Sequence, residues 1–452
     1  MRFPCPIPQM RLWPPAALTR VVGAAGLALV LAGCSGSGVD LGGLLGADQK
    51  PLAGAREAIN TAGGVLAPDP ELLTQANVIP AARPNASWPQ SGGNASHALG
   101  NLSASRQPKL AWSVNAGVGS SDDGRLTAQP IVANGRVYVL EAASRLTALS
   151  TSGGLKAWSG SLQRNDDEAD AGVGGGLAYE GGRLFVTTTF GEVASLDAAR
   201  GSIFWRKRLE VPVRAAPTVS GGKIFVAGVN NEVQALSTSD GSSFWKYQGV
   251  GEQAARAAST SAAVSGNTVV VPLTTGEILA FDVNSGLSNW GDALSGSSRF
   301  SGASVLTDIA GRPVIQDGRV YAIAHAGSMG AFDLRSGEIL WNLAVSGTET
   351  PWLAGDYLYT VVNKNVMAAI SKTKGRARWS YRMSERGSWA GPVMANGLLV
   401  AVSGEGSMIF ISPETGQPAN NITVGEPTFI APLVAGNTIF VLTDEATLKA
   451  YR

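Results

Sequence analysis

The feature that most constrains this chain is a short signature that keeps returning: a Gly standing four residues before a Trp. The pairs are Gly154/Trp158, Gly201/Trp205, Gly241/Trp245, Gly286/Trp290, Gly337/Trp341 and Gly375/Trp379, and a degenerate further copy sets Asn420 after Gly416. Successive copies lie roughly 38 to 51 residues apart, the period of four-stranded propeller blades.

One copy, Arg312 to Trp341, shows how the unit folds. Pro313 to Ile315 is a brief apolar run, Asp317-Gly318 a tight turn, Arg319 to Ala324 and Ser328 to Asp333 alternate, and Arg335-Ser336-Gly337 turns the chain into Ile339 to Trp341. Such a small antiparallel sheet cannot bury both faces alone, so the copies must stack. Each copy carries a penultimate strand before its turn, from Leu146 to Leu149 through to Met408 to Ile411. Leu448 to Arg452 repeats that strand, but no outer neighbour comes after it. Leu110 to Val114, around Trp112, is a Trp-bearing strand without a preceding blade and can supply the missing partner. The expectation is an all-β, eight-bladed β-propeller of these repeats, closed by its N-terminal strand so that no open sheet edge remains.

A chain of 452 residues could hold two or three domains, but a repeat array from about Gln107 onward argues for one large one. The balance of 35 basic and 34 acidic residues, net +1, implies no nucleic-acid partner.

The first residues read as a targeting segment. Arg11 and Arg20 precede an apolar run, Val21 to Leu31, too short to span a membrane, and the run ends in Leu31-Ala32-Gly33-Cys34. Small residues before a Cys at this place resemble the bacterial lipobox, which implies a signal peptide over 1–33, cleavage before Cys34 and acylation of its thiol. Removing three Arg and no acid takes the net charge from +1 to −2. Cys5 is the other Cys and falls in the discarded segment, so the mature chain has no disulfide to form. Ser35 stands where Asp would mark inner-membrane retention, so the sorting pattern of such lipoproteins implies the outer membrane, with the protein lipid-anchored and facing the periplasm.

Residues 34–105 read as a lipidated flexible tether, rich in Gly, Ala, Pro, Asn and Ser, with a short helix around Glu71 to Ala76. Its one patterned piece is Trp88-Pro89-Gln90-Ser91-Gly92-Gly93, in which Trp88 is expected to pack onto the surface of the propeller, residues 106–452. On this reading a truncation that begins near Ser105 leaves the ring intact.

Catalytic chemistry is poorly supplied. Asp166, Asp167, Glu168 and Asp170 read as a solvated inter-blade loop, His97 and His325 stand in unrelated contexts, and no G-x-S-x-G elbow follows a strand. The wording of the repeat, Phe332 to Trp341 with its sisters Leu196 to Trp205 and Phe281 to Trp290, resembles the PQQ-type repeat of quinoprotein alcohol dehydrogenases. Those enzymes hold their quinone over a vicinal Cys pair, with Ca²⁺ and an Asp base, and the mature chain has no Cys pair. The expectation is therefore no cofactor, no metal and no catalytic residue; the alternative is a PQQ-dependent periplasmic dehydrogenase.

Lipobox, tether and eight blades together resemble the BamB family, propeller lipoproteins of the machinery that assembles outer-membrane β-barrels. The resemblance implies a non-enzymatic adaptor that docks on the POTRA domains of BamA, joins other subunits of that complex and aids unfolded outer-membrane proteins. In the family an apolar-x-apolar-Arg run before the third blade contacts BamA, and here Val211, Val213 and Arg214 occupy that place. A second family contact carries Asp-x-Asp before a blade's opening Pro-Val; Asp308 keeps the first acid and Ala310 replaces the second.

Overall fold

The computed structural model describes residues 66–452 apart from 122–123, 142–143, 164–171, 214, 250–259, 295–308, 326 and 385–386. The chain divides into residues 1–58, outside the described part, and residues 59–452, which hold all the elements named below. Cys34, Arg214, Asp308 and the acidic group at 166–170 lie outside the described residues.

Eight four-stranded antiparallel sheets succeed one another along the chain. Blade 1 spans residues 131–161, blade 2 176–208, blade 3 218–248, blade 4 263–293, blade 5 314–343, blade 6 352–382 and blade 7 389–423. Blade 8 takes three strands from 433–451 and its outer strand from β1, Leu110–Asn115. β1 runs antiparallel to Thr447–Tyr451, with Leu110 opposite Tyr451 and Asn115 opposite Thr447. This is the closure that the unpartnered strand around Trp112 requires. Blade 5 has its strands at Val314–Gln316, Arg319–Ala324, Ser328–Asp333 and Ile339–Leu343, as the alternation in that copy dictates.

The middle strands explain why periodicity is muted in parts of the sequence. Tyr357–Val362 and Val366–Ser371 are buried at every position, because each blade is covered on both faces by its neighbours. Outer strands alternate instead, as in Ile203–Arg208, since one face meets solvent. Each fully buried Val, Leu or Phe in such a seam contributes roughly 1.5–3 kcal/mol.

Neighbouring blades are joined by the repeat Trp. Its indole Nε1–H donates to a turn carbonyl of the next blade: Trp112 to Thr151, Trp158 to Ala198, Trp205 to Thr238, Trp245 to Val283, Trp290 to Leu334, Trp341 to Lys372 and Trp379 to Pro413, over 2.8–3.3 Å. In the seam between blades 7 and 8 the Trp place is Asn420. The third and outer strands of blade 8 are not consecutive in the chain, so no Gly turn joins them and an indole there would have no turn to dock on. The degenerate copy is thus the mark of the closing seam.

The segment read as a tether departs from that reading over residues 66–105. Helix α1, Pro70–Thr74, is capped by Asp69 and rests on the outer strand of blade 6, with Leu72 fully buried. From there the chain crosses to the axis and residues 85–102 run round the inside of the ring. Asn85 O accepts from Gly436 N of blade 8 and Trp88 pairs with Val132 of blade 1. Pro89 O accepts from Tyr179 N of blade 2, and the Gln90 amide brackets Val219 of blade 3. Ala95 O accepts from Val264 N of blade 4 and Ser96 O from Ile315 N of blade 5. Gly100 O takes the indole N–H of Trp352 of blade 6, and Leu102 pairs with Met394 and Asn396 of blade 7. Every blade is touched, in ring order. The physical reason is that inner strands present unpaired N–H groups toward the axis, and an extended segment rich in free carbonyls satisfies them. Trp88 therefore sits inside the ring at 1% exposure, stacked 6.1 Å from Trp352, rather than on the surface.

Candidate functional site

The meander of each blade sorts the loops onto two faces. The first hairpins and the Gly turns lie on one, the turn face; the second hairpins and the connectors between blades lie on the other, the connector face. Segment 66–105 approaches over the turn face, through contacts such as Val78 O against Gly355 and Asn77 Nδ2 with Pro413 O, 2.9 Å.

Residues 85–102 bond to the inner strands all round the axis. His97 is the most buried titratable group of that segment, at 2% exposure; one ring nitrogen, Nδ1, stands 2.7 Å from Pro313 O. Burial, reinforced by the Arg312 guanidinium, pulls its pKa down to about 3, so the imidazole is neutral and Nδ1 donates. Gly93 is forced by closeness: a Cβ there would lie 2.1 Å from Leu99 Cδ1 and 3.2 Å from Trp88 Cε2.

The candidate partner residues lie on the connector between blades 2 and 3. Val211 is half-buried and Pro212 is exposed. The loop is held from both sides, by Leu209 N–H to Gly191 O at 2.7 Å and Val229 N–H to Pro212 O at 3.1 Å. Val213 corrects the sequence expectation. It is fully buried among Phe185, Val219, Ile224 and Val226, filling the seam between the two blades, so its side chain anchors the loop from inside and presents no surface to a partner. Beside Val211, exposed Glu210 meets Lys246 at 3.2 Å, and Lys246 meets buried Glu232 at 2.9 Å. Donating hydrogen bonds to Glu232 first and Glu210 second raises the Lys246 pKa, keeping a fixed cation next to the loop. Arg214 and Asp308 are outside the described residues; Ile309, next to Asp308, is buried and bridges Ala324. The structure therefore brings Val211 to an accessible place and does not bring Val213 there.

Across the ring, a cleft of about 880 Å³ opens on the same face between blades 5, 6 and 7. His325 lines it from the second hairpin of blade 5, where sequence reading sets it near a turn. The cleft escaped sequence reading because its residues come from connectors and hairpins far apart in the chain. No group of three or more His, Cys, Asp or Glu among the described residues is arranged to hold a metal ion.

The same chain of blades is found in proteins of known role. The family model described as "Outer membrane protein assembly factor BamB" matches residues 160–381 and 363–452. The chain belongs to the BamB family. Outer membrane protein assembly factor BamB of Escherichia coli (strain K12) is 30% identical over 352 residues, covering 75% of this chain and 88% of the relative. The namesake from Salmonella typhimurium (strain LT2) is 29% identical over 347 residues, covering 76% and 88%. Among solved structures, BamB from Moraxella catarrhalis matches with a TM-score of 0.65 at 17% identity, over 76% of this chain and all, 100%, of that one. Quinohemoprotein alcohol dehydrogenase from Comamonas testosteroni matches equally well in shape, TM-score 0.65, at 14% identity over 81% of this chain and 80% of that one. At such identities the likeness is one of fold.

Proposed function

We propose that this protein is a non-enzymatic adaptor lipoprotein in the assembly of outer-membrane β-barrel proteins. Family membership across blades 2 to 8 carries the reading. On it, Cys34 is acylated, the propeller is held at the periplasmic side of the outer membrane, and the connector face docks on the POTRA domains of BamA. Unfolded outer-membrane proteins are the clients. The ring is a rigid platform, and the axial segment adds to that rigidity by tying every inner strand.

Docking centres on Val211 and Arg214, with Asp308 as an outlying contact. Arg is among the residue types in which interface energy concentrates, and half-buried Val211 supplies apolar surface on the same connector. The test is capture of BamA by the purified variant Val211→Glu/Arg214→Ala. Capture is expected to fail while the melting temperature stays within a degree or two of the parent, as surface changes usually leave it. Undiminished capture would overturn the assignment of this loop. Val213→Ala is no substitute, because it empties a seam and costs stability of its own.

The rival reading, a quinoprotein dehydrogenase, draws support from fold alone. The inner ends of the blades are already bonded to residues 85–102 of the chain itself.

A further inference from the structure

The cleft between blades 5, 6 and 7 is built rather than incidental. Its hairpin wall turns at Asn363 and Lys364, both with left-handed backbone, φ 48° and 76°. Asn363 Oδ1 accepts from Ser346 N–H and its hydroxyl at 3.2 Å, so the turn is pinned to the connector opposite. That conformation throws Lys364 outward, exposed, and among the described residues it forms no ion pair. Arg382, also exposed, adds a second cation to the lining.

The apolar part is fixed as well. Trp389 is 7% exposed and its indole N–H donates to Ser384 O at 3.2 Å. Phe429 is 46% exposed, with its ring laid against Gly404 so closely that a Cβ there would be 2.5 Å away. An exposed aromatic held against backbone is a preformed contact for another ring. On the remaining side, Glu349 accepts from Gly391 N–H at 2.8 Å. Burial pushes its pKa up to about 7, so at neutral pH it is about half ionised and offsets only part of the positive charge.

We propose that this cleft binds an extended polypeptide segment bearing acidic and aromatic side chains, in the manner of an unfolded client, with Lys364 receiving the acid and Phe429 the ring. The inference rests on the adaptor reading, to which it adds a client site. A volume of about 880 Å³ suits several residues of chain, at the upper end of what small-molecule pockets offer. Among the described residues the lining holds two cations, too few for a nucleic-acid backbone, which needs a longer basic track. The cleft also lies across the ring from the Val211 loop, which joins blades 2 and 3, so docking and client capture need not compete.

The experiment is fluorescence anisotropy of the purified full-length protein with a short labelled peptide alternating phenylalanine and aspartate, against one alternating phenylalanine and lysine. The aspartate peptide is expected to bind, the lysine peptide to bind far more weakly, and Lys364→Glu/Phe429→Ser to lose at least about tenfold in affinity for the aspartate peptide. Equal binding of both peptides, or equal binding to parent and variant, would overturn the proposal. BamA capture separates the two readings. The cleft variant should still capture BamA, and if it loses capture while keeping the peptide, the cleft is a docking surface and the client site is wrong. A Val211→Glu/Arg214→Ala protein that still captures BamA removes the docking assignment and leaves the peptide result standing.

Discussion

The indole of Trp290 lies so close over Gly337 of the next blade that a Cβ on the glycine would stand 2.7 Å from ring atom Cδ2. The same Trp donates from Nε1 to Leu334 O at 2.8 Å and stacks on Phe332, centroids 6.1 Å apart. A four-residue spacing in one strand is thereby tied to a contact between two blades. Gly337 also holds φ at 77°, where a side chain is strained in any surroundings.

Gly337→Ala is expected to cost about 2–4 kcal/mol, a sum of left-handed strain and overpacking against the indole. Gly135→Ala is the control: φ is 70° there, but nothing lies within 4 Å of the added methyl. It should cost only the strain, about 1–2 kcal/mol, in urea unfolding. Equal losses would mean that the Trp–Gly contact adds nothing.

The axial segment makes a second prediction, opposite to the one drawn from sequence. A truncation that begins near Ser105 removes Trp88, Leu99 and Leu102, all buried, and strips acceptors from the inner strands. It should therefore melt well below the full-length chain. Trp88→Ala alone should cost about 3–5 kcal/mol, the usual range for emptying a buried aromatic site. A truncated ring that melts like the parent would show that the segment is a passenger.

Two desolvated groups give opposing pH dependences. His97 takes a proton near 6.5 in the unfolded chain and near 3 in the fold, so the stability it supports is complete above about 6.5 and is lost as pH falls through that window. Glu349 goes the other way: it ionises near 4.5 unfolded and about 7 folded, so its contribution is complete below 4.5 and is lost as pH rises toward 7. Each slope approaches about 1.4 kcal/mol for every pH unit inside its window. His97→Asn, an exchange that tolerates the left-handed φ of 58°, should flatten the acid limb of stability whatever it costs overall. Glu349→Gln should remove the decline between pH 4.5 and 7. Denaturation midpoints measured from acid to neutral pH would read both.

Cys34→Ala tests the anchor. With the signal otherwise intact, the variant should leave the membrane fraction as a soluble periplasmic or uncleaved species, because on the proposed reading Cys34 is the single attachment point for the acyl chains. Membrane fractionation identical to that of the parent would remove the lipoprotein assignment.

What the sequence by itself determined was the ring. The Gly–Trp spacing, the alternating outer strands and the lone strand around Trp112 specify blades, their number and their closure, since each is a local pattern with a fixed period. Even the lapse at Asn420 is lawful, for it marks the seam whose neighbouring blade has no Gly turn. Tertiary structure decided the rest. Residues 85–102 have no period because they meet eight different blades, one or two residues at a time, and such a segment looks like a linker until the ring surrounds it. The lone Trp88 and the Gly92-Gly93 pair were its visible signal. Val211 and Val213 are chemically alike and two positions apart, and only the packing of blade 2 on blade 3 sends Val213 inward. The cleft at Lys364 and Phe429 joins residues from connections far apart in sequence, a nearness that no local pattern encodes.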